Sequence, residues 1–241
     1  MPLKLEKEKN MQKIGFIGAY DKIDCILYVA KILIELKKRI LVIDATHKQK
    51  ARYIVPSINP TIMYMTEFEG IDVAVGFKDF QTIEQYLGDR KIQNLYDYVF
   101  IDLDSPVMFQ NFNLKEADKN YFVTSFDVYD LKKGLETLSF IQEPIKMTKV
   151  LFSRNMLQEE EQYLDYLARN YKIIWDDFKI YFPITVDDWN TIAENQRVEK
   201  IKLKKLSAAY KENLMYLCEG ITKEFKSPDI RKTIKNIEKG A

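Results

Sequence analysis

The sequence has few of the side chains that usually bind metals or form disulfides. Its 241 residues include one histidine, His47, and two cysteines, Cys25 and Cys218. Both cysteines lie in apolar stretches of helical spacing and form no CxxC motif, which favours buried thiols over a metal site or a disulfide. We expect His47 to be a solvent-exposed loop residue.

An excess of charge of one sign is also lacking. The 37 Lys and Arg residues almost balance the 36 Asp and Glu residues, so there is no overall positive field that would by itself indicate nucleic acid or an acidic membrane surface. No apolar run approaches the roughly 18 residues of a membrane span. The first ten residues are charged where a signal peptide would be apolar. These features predict a cytoplasmic protein.

What the sequence does contain is an alternation of short apolar runs and stretches of helical spacing. Arg39–Asp44 reads as a strand buried on both faces, and it follows a strand at Lys13–Ile17 and a helix from Ile23 to Lys38. Similar alternation continues to about residue 183, and the last third is helical. The pattern predicts an α/β fold with a mostly parallel, twisted sheet covered by helices on both faces.

The domain boundaries follow from where this alternation begins and ends. We predict a charged N-terminal tail at 1–12, one α/β domain at 13–226 and a short basic C-terminal tail at 227–241. Within the C-terminal tail, Ile230, Ile234 and Ile237 have helical spacing among basic residues. This small amphipathic helix has two interpretations, membrane-surface binding and a frayed or partner-docked helix.

Polar residues and turns follow three of the predicted strands. They are the turn from Gly18 to Lys22, the acidic residue Asp44, and Asp102 with the turn that ends at Pro106. Ligands of an open parallel sheet bind beyond the carboxyl ends of its strands, and amides at a helix N-terminus attract anions. The three strand ends are therefore the predicted functional site.

In this order of parts, the sequence resembles the ParA/MinD family of deviant P-loop ATPases over Lys13 to about Phe225. That family has a KGGxGKTT-type loop after the first strand, an Asp after the second, and a later strand that ends in Asp before a Pro-containing turn. The resemblance implies a P-loop NTPase architecture. It implies nucleotide binding by Gly18, Ala19, Lys22 and Ile23, and ancestral catalytic and Mg²⁺-linked roles for Asp44 and Asp102, with ATP or ADP and Mg²⁺ as cofactors.

The loop departs from the family pattern at positions that matter for hydrolysis. Ile17 replaces the lysine that reaches the partner subunit's phosphates, and Asp21 puts a side chain and a negative charge where phosphate oxygens approach the backbone. Ile23 replaces the Thr or Ser whose hydroxyl binds Mg²⁺. Phosphoryl transfer needs such donors and the metal, so we expect weak or no ATP hydrolysis. Asp44 and Asp102 have a second interpretation as helix caps.

Two later strand ends resemble the base-binding part of the same family. Arg154 and Asn155 follow a strand at the place of the family's Asn-Arg pair, with Ser153 where the adenine-contacting Asn stands. Pro183 ends the last predicted strand, in a segment that resembles the family's region near the base. The resemblance thus adds Arg154, Asn155 and Pro183 to the candidate nucleotide-binding residues.

The resemblance implies a role in intracellular positioning, DNA partition, or assembly of a pilus, secretion or conjugation machine. The leading hypothesis is a pseudo-ATPase scaffold; the alternatives are a slow ATPase that dimerises on ATP and a nucleotide-independent structural subunit. The implied partners are a protein of such a system and a second copy of the chain. Contact with DNA or a membrane surface is a further alternative, which would place the protein at the nucleoid or the membrane periphery.

Overall fold

The structure, a computed structural model, describes residues 11–57, 61–154 and 158–240. The candidate residue Asn155 and most of the predicted N-terminal tail lie outside the described residues. The strands are β1 (Gln12–Ile17), β2 (Ile40–Asp44), β3 (Tyr64–Phe68), β4 (Ile71–Val75), β5 (Tyr98–Leu103), β6 (Lys119–Ser125), β7 (Ile145–Ser153), β8 (Ile173–Trp175) and β9 (Ile180–Pro183). The helices are α1 (Ile23–Glu35), α2 (Ala51–Ile54), α3 (Phe80–Tyr86), α4 (Ile92–Leu95), α5 (Pro106–Asn111), α6 (Val128–Glu136), α7 (Gln158–Ala168), α8 (Val186–Val198), α9 (Ala208–Ile221) and α10 (Ser227–Glu238).

The strands form one sheet in the order β3-β4-β2-β5-β1-β6-β7-β8, and β9 pairs with the second half of β7. Every pair is parallel except β3–β4. The predicted α/β fold with a mostly parallel sheet is therefore confirmed. β1 lies in the centre between β5 and β6, and Asp44 is directly opposite Asp102 in the β2–β5 register. The carboxyl ends of the three central strands thus meet beside the turn that follows β1.

Two hydrophobic cores lie on the two faces of this sheet. One core contains the apolar faces of α1, α8, α9 and α10, and the other contains those of α3, α5, α6 and α7. All five residues of β2 are buried, as expected for a central parallel strand covered on both faces. The double covering holds the strand ends, and therefore the candidate site, in a fixed arrangement.

The edge strand β3 was not predicted from the sequence. It pairs antiparallel with β4 through a hairpin whose turn residues, Glu69 and Gly70, both have positive φ, 55° and 85°. This is the geometry of a two-residue turn whose twist matches the flanking strands. Because β3 has only five residues and only the first and the last, Tyr64 and Phe68, are buried, its apolar pattern is weaker than that of the central strands.

The basic C-terminal segment contains the helix α10, which packs on α1 and α9. Ile230 and Ile234 are buried in the core, and Ile237 packs against it. The three isoleucines that indicated an amphipathic helix therefore contact the chain's own domain instead of forming a free apolar face for a membrane surface. Within the described ranges, no helix is both long and apolar enough to cross a membrane.

Candidate functional site

The turn after β1 depends on Gly18. Its φ is +144°, and a Cβ at this position would come within 2.1 Å of the Val123 carbonyl oxygen in β6. The Gly18 amide donates to the Leu103 carbonyl oxygen at 3.1 Å, which ties the turn to the end of β5. Glycine is thus required here by backbone conformation and by close packing, whether or not the turn holds a phosphate.

Lys22, the first residue after the turn, bends back into the protein. Its ammonium nitrogen lies 2.7 Å from Asp102 Oδ1 and 2.7 Å from the Gly18 carbonyl oxygen. Both charged side chains are only 2% exposed. The residue that matches the phosphate-binding lysine of the ParA/MinD loop is therefore held in a buried ion pair.

The electrostatics of Asp102 follow from this burial. Removal from water raises the pKa of Asp102 to about 7, Lys22 opposes the shift, and the nearby Asp44 carboxylate adds to it. Burial disfavours the charged form of an acid, whereas an adjacent ammonium favours it. The ionisation of Asp102 at neutral pH consequently depends on Lys22.

Asp44 holds the loop that follows β2. One carboxylate oxygen accepts from the amide of Thr46 at 3.1 Å and from its hydroxyl at 2.6 Å. The other accepts from the Ala51 amide at 2.9 Å, at the start of α2. Burial raises the pKa of Asp44, and these hydrogen bonds oppose the shift. Asp44 therefore accepts from the first amide of α2, although the N-cap position of that helix is Lys50. The cap of α5 is Ser105, so the interpretation of Asp102 as a helix cap is wrong.

A second charge cluster, partly exposed to solvent, lies on the other side of the turn. The Lys50 ammonium lies 2.6 Å from Asp21 and 3.0 Å from Asp24, and the Gln196 amide donates to both oxygens of Asp24 at 3.0 and 2.9 Å. Burial raises the pKa of Asp24, and Lys50 and Gln196 oppose it. Lys50 thus supplies the positive charge between the two acidic residues Asp21 and Asp24.

Tyr20, at the tip of the turn, extends over the neighbouring strands. Its ring stacks on Phe152 of β7 at 4.7 Å between centroids, and Phe152 stacks on Phe182 of β9 at 4.6 Å. The turn is therefore attached to the β7 and β9 ends by aromatic contacts. These are the strand ends at which Arg154 and Pro183 were predicted to approach a base.

Most of the predicted site residues line one narrow cleft. The residues that line it include Gly18, Ala19, Lys22, Ile23, Asp44 and Asp102. Its free volume is about 30 Å³, which is room for about two water molecules. Arg154 and Pro183 end β7 and β9 at the same edge of the sheet but are not among the described residues that line the cleft.

The residues present do not fit a magnesium nucleotide in this arrangement. Binding sites for molecules of such size usually have volumes of about 300 Å³ or more. The Lys22 ammonium is paired, the Asp44 oxygens accept internal hydrogen bonds, and the Ile23 side chain is a buried hydrocarbon without a ligand atom. Across the described parts of the chain, no three His, Cys, Asp or Glu side chains converge as a metal-binding group.

Sequence reasoning missed Lys50 and Gln196, which complete the charge cluster of the turn. Asp21 lies just before the N-cap of α1 and Asp24 in its first turn. Two acidic residues this close together in the sequence were a signal that favoured a nearby positive charge. The source of the charge was not predictable, because Lys50 and Gln196 approach from the loop before α2 and from α8.

No protein-family profile matches the sequence, and no curated protein matches it significantly. Solved structures do match. A ParA family ATPase from Chlorobium tepidum TLS is 14% identical with a TM-score of 0.56, and the match covers 86% of this chain and 98% of that one. A chain of the MinC:MinD cell division protein complex from Aquifex aeolicus is 11% identical, with a TM-score of 0.55 and coverages of 89% and 98%. A variant of Cyanothece McdA in complex with ATP is 10% identical, with a TM-score of 0.57 and coverages of 90% and 99%.

These similarities extend over nearly the whole length of each neighbour. At such low identity, the shared feature is the arrangement of the backbone. The chain has the fold of the ParA/MinD-type P-loop ATPases.

Proposed function

We propose that the protein is a pseudo-ATPase scaffold of the ParA/MinD type, with weak or no ATP hydrolysis, that acts in intracellular positioning, DNA partition or the assembly of a pilus, secretion or conjugation machine. The observation that carries the proposal is the ion pair between Lys22 and Asp102 in a cleft with about 30 Å³ of free volume. The class of process is supported by the neighbours of the fold, which are described as partition and cell division proteins.

The ion pair supports weak or no ATP hydrolysis because phosphate binding would have to break it. Separating Lys22 from Asp102 leaves a buried carboxyl group without its counter-ion, which is unfavourable to the extent that Asp102 is ionised. Asp21 would add repulsion against phosphate oxygens, and Ile23 offers no ligand to Mg²⁺. Each of these terms opposes binding of a magnesium nucleotide.

A second candidate is a slow ATPase that dimerises on ATP. It is favoured by one specific observation, namely that Lys22, Asp44 and Asp102 still line one cleft at the carboxyl edge of the sheet. In that case a nucleotide would displace Lys22 from Asp102.

We also expect that the protein binds a protein partner of a positioning or secretion system and that it forms a homodimer.

Calorimetry with ATP and ADP in the presence of Mg²⁺, together with phosphate release, distinguishes these candidates. The pseudo-ATPase scaffold predicts little or no phosphate release from the wild-type chain, and a nucleotide-independent structural subunit predicts no measurable heat as well. Turnover at the rate of ordinary ParA/MinD-type ATPases would overturn it, and binding with slow turnover would establish the second candidate.

A restored loop provides the positive control. The double variant Asp21→Gly and Ile23→Thr removes the added charge and returns a hydroxyl at the Mg²⁺ position. We expect it to gain nucleotide binding if the fold still permits a phosphate cradle. Sedimentation of both proteins with and without ATP then tests whether self-association requires the nucleotide.

A further inference from the structure

The segment that joins α8 to α9 carries a row of lysines. Its residues 200–206 read KIKLKKL. Ile201, Leu203 and Leu206 are buried in one of the two cores, whereas all four lysines of the segment are exposed. Over residues 200–204, buried and exposed side chains alternate, a period typical of an extended segment with one side against the protein. Residues 200–206 are called the basic strap below.

Hydrogen bonds and packing fix the backbone of the basic strap. The side-chain amide of Asn195, in the last turn of α8, donates to the Lys202 carbonyl oxygen and to the Tyr28 hydroxyl of α1, both at 2.9 Å. The Lys200 amide donates to the Asn195 carbonyl oxygen at 3.1 Å. Because the backbone is already held against α1 and α8, a ligand of this surface has to order only the lysine side chains, which lowers the entropy cost of binding.

Most of the positive charge on this surface is unpaired. Lys205 forms an ion pair with Glu194 at 2.6 Å. The other four basic side chains of residues 194–205 form no ion pair or side-chain hydrogen bond with any described residue of the chain, and they are Arg197, Lys200, Lys202 and Lys204. Five basic and two acidic residues give residues 194–205 a net charge of +3, whereas the whole chain has a net charge of +1. The charge of this region is therefore locally concentrated.

The pKa of Glu194 indicates that these charges lie on one surface. It is lowered by the hydrogen bond from Lys205 and, in addition, by the charges of Lys205, Lys202 and Arg197. A nearby opposite charge favours the ionised form of a carboxyl group. Basic side chains from the end of α8 and from the basic strap thus act at the same place.

We propose that the basic strap binds an extended acidic segment of a protein partner, with Asp or Glu at every second position. Lys200, Lys202 and Lys204 are two residues apart, which corresponds to roughly 6.6 Å in an extended chain. The same distance separates the side chains on one face of an extended peptide. Such a peptide therefore places a carboxylate opposite each lysine. Val198, which is 43% exposed beside Arg197, offers an apolar contact to a neighbouring side chain of the peptide.

The acidic residues of the same surface favour a polypeptide over a nucleic acid. Glu194 and Glu199 lie among the basic residues of this region. A nucleic acid carries closely and regularly spaced phosphates, which would meet these two carboxylates, whereas a polypeptide can have uncharged residues at those points. The small net charge of the chain, +1, also provides no wide positive field around the basic strap.

Fluorescence anisotropy of a labelled peptide in which glutamate alternates with valine tests the proposal on the full chain at low salt. We expect the double variant Lys202→Ala and Lys204→Ala to bind this peptide at least about fivefold more weakly, the effect of losing two exposed charge pairs. The variant with Lys202→Arg and Lys204→Arg should keep the wild-type affinity. Both pairs of substitutions replace exposed side chains, so the melting temperatures should match that of the wild type.

A matched control removes two lysines elsewhere. Lys78 precedes α3 and Lys132 lies in α6, and both are exposed. These helices pack on the other face of the sheet from α8 and α9. The double variant Lys78→Ala and Lys132→Ala changes the net charge equally and should bind the peptide as the wild type does.

Two further probes test the spacing and the class of partner. A peptide of the same composition with its glutamates in one block should bind at least about threefold more weakly than the alternating peptide, because fewer of its carboxylates face the lysines. A DNA duplex should bind more weakly than the alternating peptide.

Three results would overturn the proposal. Equal affinity for the two peptides would mean attraction by total charge alone, tighter binding of the duplex would assign the surface to nucleic acid, and unchanged binding by the double alanine variant would exclude the basic strap. The Gly18 turn takes no part in these measurements, so their outcome is independent of the ATP measurements that test the proposed function.

Discussion

Replacing Lys22 by methionine should destabilise the protein in a manner that depends on pH. Methionine keeps most of the apolar length of lysine and removes the ammonium group that lies 2.7 Å from Asp102. The change therefore isolates the charge of the pair from its packing. The resulting loss of free energy of unfolding depends on whether Asp102 can take up a proton in the folded state.

The magnitude of the destabilisation at each pH follows from the pKa of Asp102. In the folded wild type this pKa is about 7, whereas an aspartate in an unfolded chain has a pKa of about 3.9. A raised folded pKa means that the contribution of Asp102 to stability is fully present below about pH 4 and is lost as the pH rises through about 7. Above pH 7, the loss in the wild type levels off, because the carboxyl is ionised in both states.

Without Lys22, the pKa of Asp102 rises further, because the ammonium opposed the effect of burial. The variant then continues to lose about 1.4 kcal/mol per pH unit above pH 7 while the wild type does not. The destabilisation by Lys22→Met from this source is therefore close to zero at pH 6 and about 3 kcal/mol at pH 9. The larger value lies in the range for removal of one partner from a buried ion pair.

Urea unfolding followed by fluorescence of the two tryptophans at pH 6, 7, 8 and 9 measures this difference. The matched control is Lys22→Met in an Asp102→Asn background, where no carboxyl remains to titrate and the difference should not grow with pH. An equal destabilisation at pH 6 and pH 9, or a pH dependence that persists in the control, would refute the coupling between Lys22 and Asp102.

Three further substitutions test the packing around the site. Gly18→Ala should lower the free energy of unfolding by about 3 kcal/mol or more, because the new Cβ would clash with Val123. The control Gly88→Ala, whose Cβ has no atom within 4 Å, should lower it by about 1 kcal/mol. Equal losses for the two variants in urea unfolding would contradict the close approach at Gly18. Ile234→Asp should lower the free energy of unfolding by about 3–5 kcal/mol, because it buries an unpaired charge, and it should speed hydrogen exchange in α10. The control at an exposed position, Lys235→Ala, should change the free energy of unfolding by less than about 0.5 kcal/mol. Lys50→Ala should cost about 1–2 kcal/mol at low salt and less in about 1 M salt, because Lys50 is 32% exposed; a loss independent of salt would argue against the electrostatic role.

The central strands could be predicted because their local patterns were strong. β2 has four consecutive apolar residues before Asp44 and β5 has four before Asp102, and all residues of both strands are buried. The turn at Gly18 and the acidic residues at the strand ends stood where a parallel sheet brings its carboxyl ends together. By contrast, β8 has three residues and α4 has four, lengths at which periodicity gives little signal.

Local sequence patterns predicted most of the strands and helices, the glycine of the first turn, and the hydrocarbon side chain of Ile23 where the resembling family has a hydroxyl. These follow from local properties: apolar periodicity, backbone freedom and side-chain chemistry. Only the tertiary structure decided that Lys22 pairs with Asp102, that Lys50 lies between Asp21 and Asp24, and that α10 packs on the domain. Ion pairs and helix packing join residues far apart in the chain, and their free energies depend on burial that no local pattern encodes.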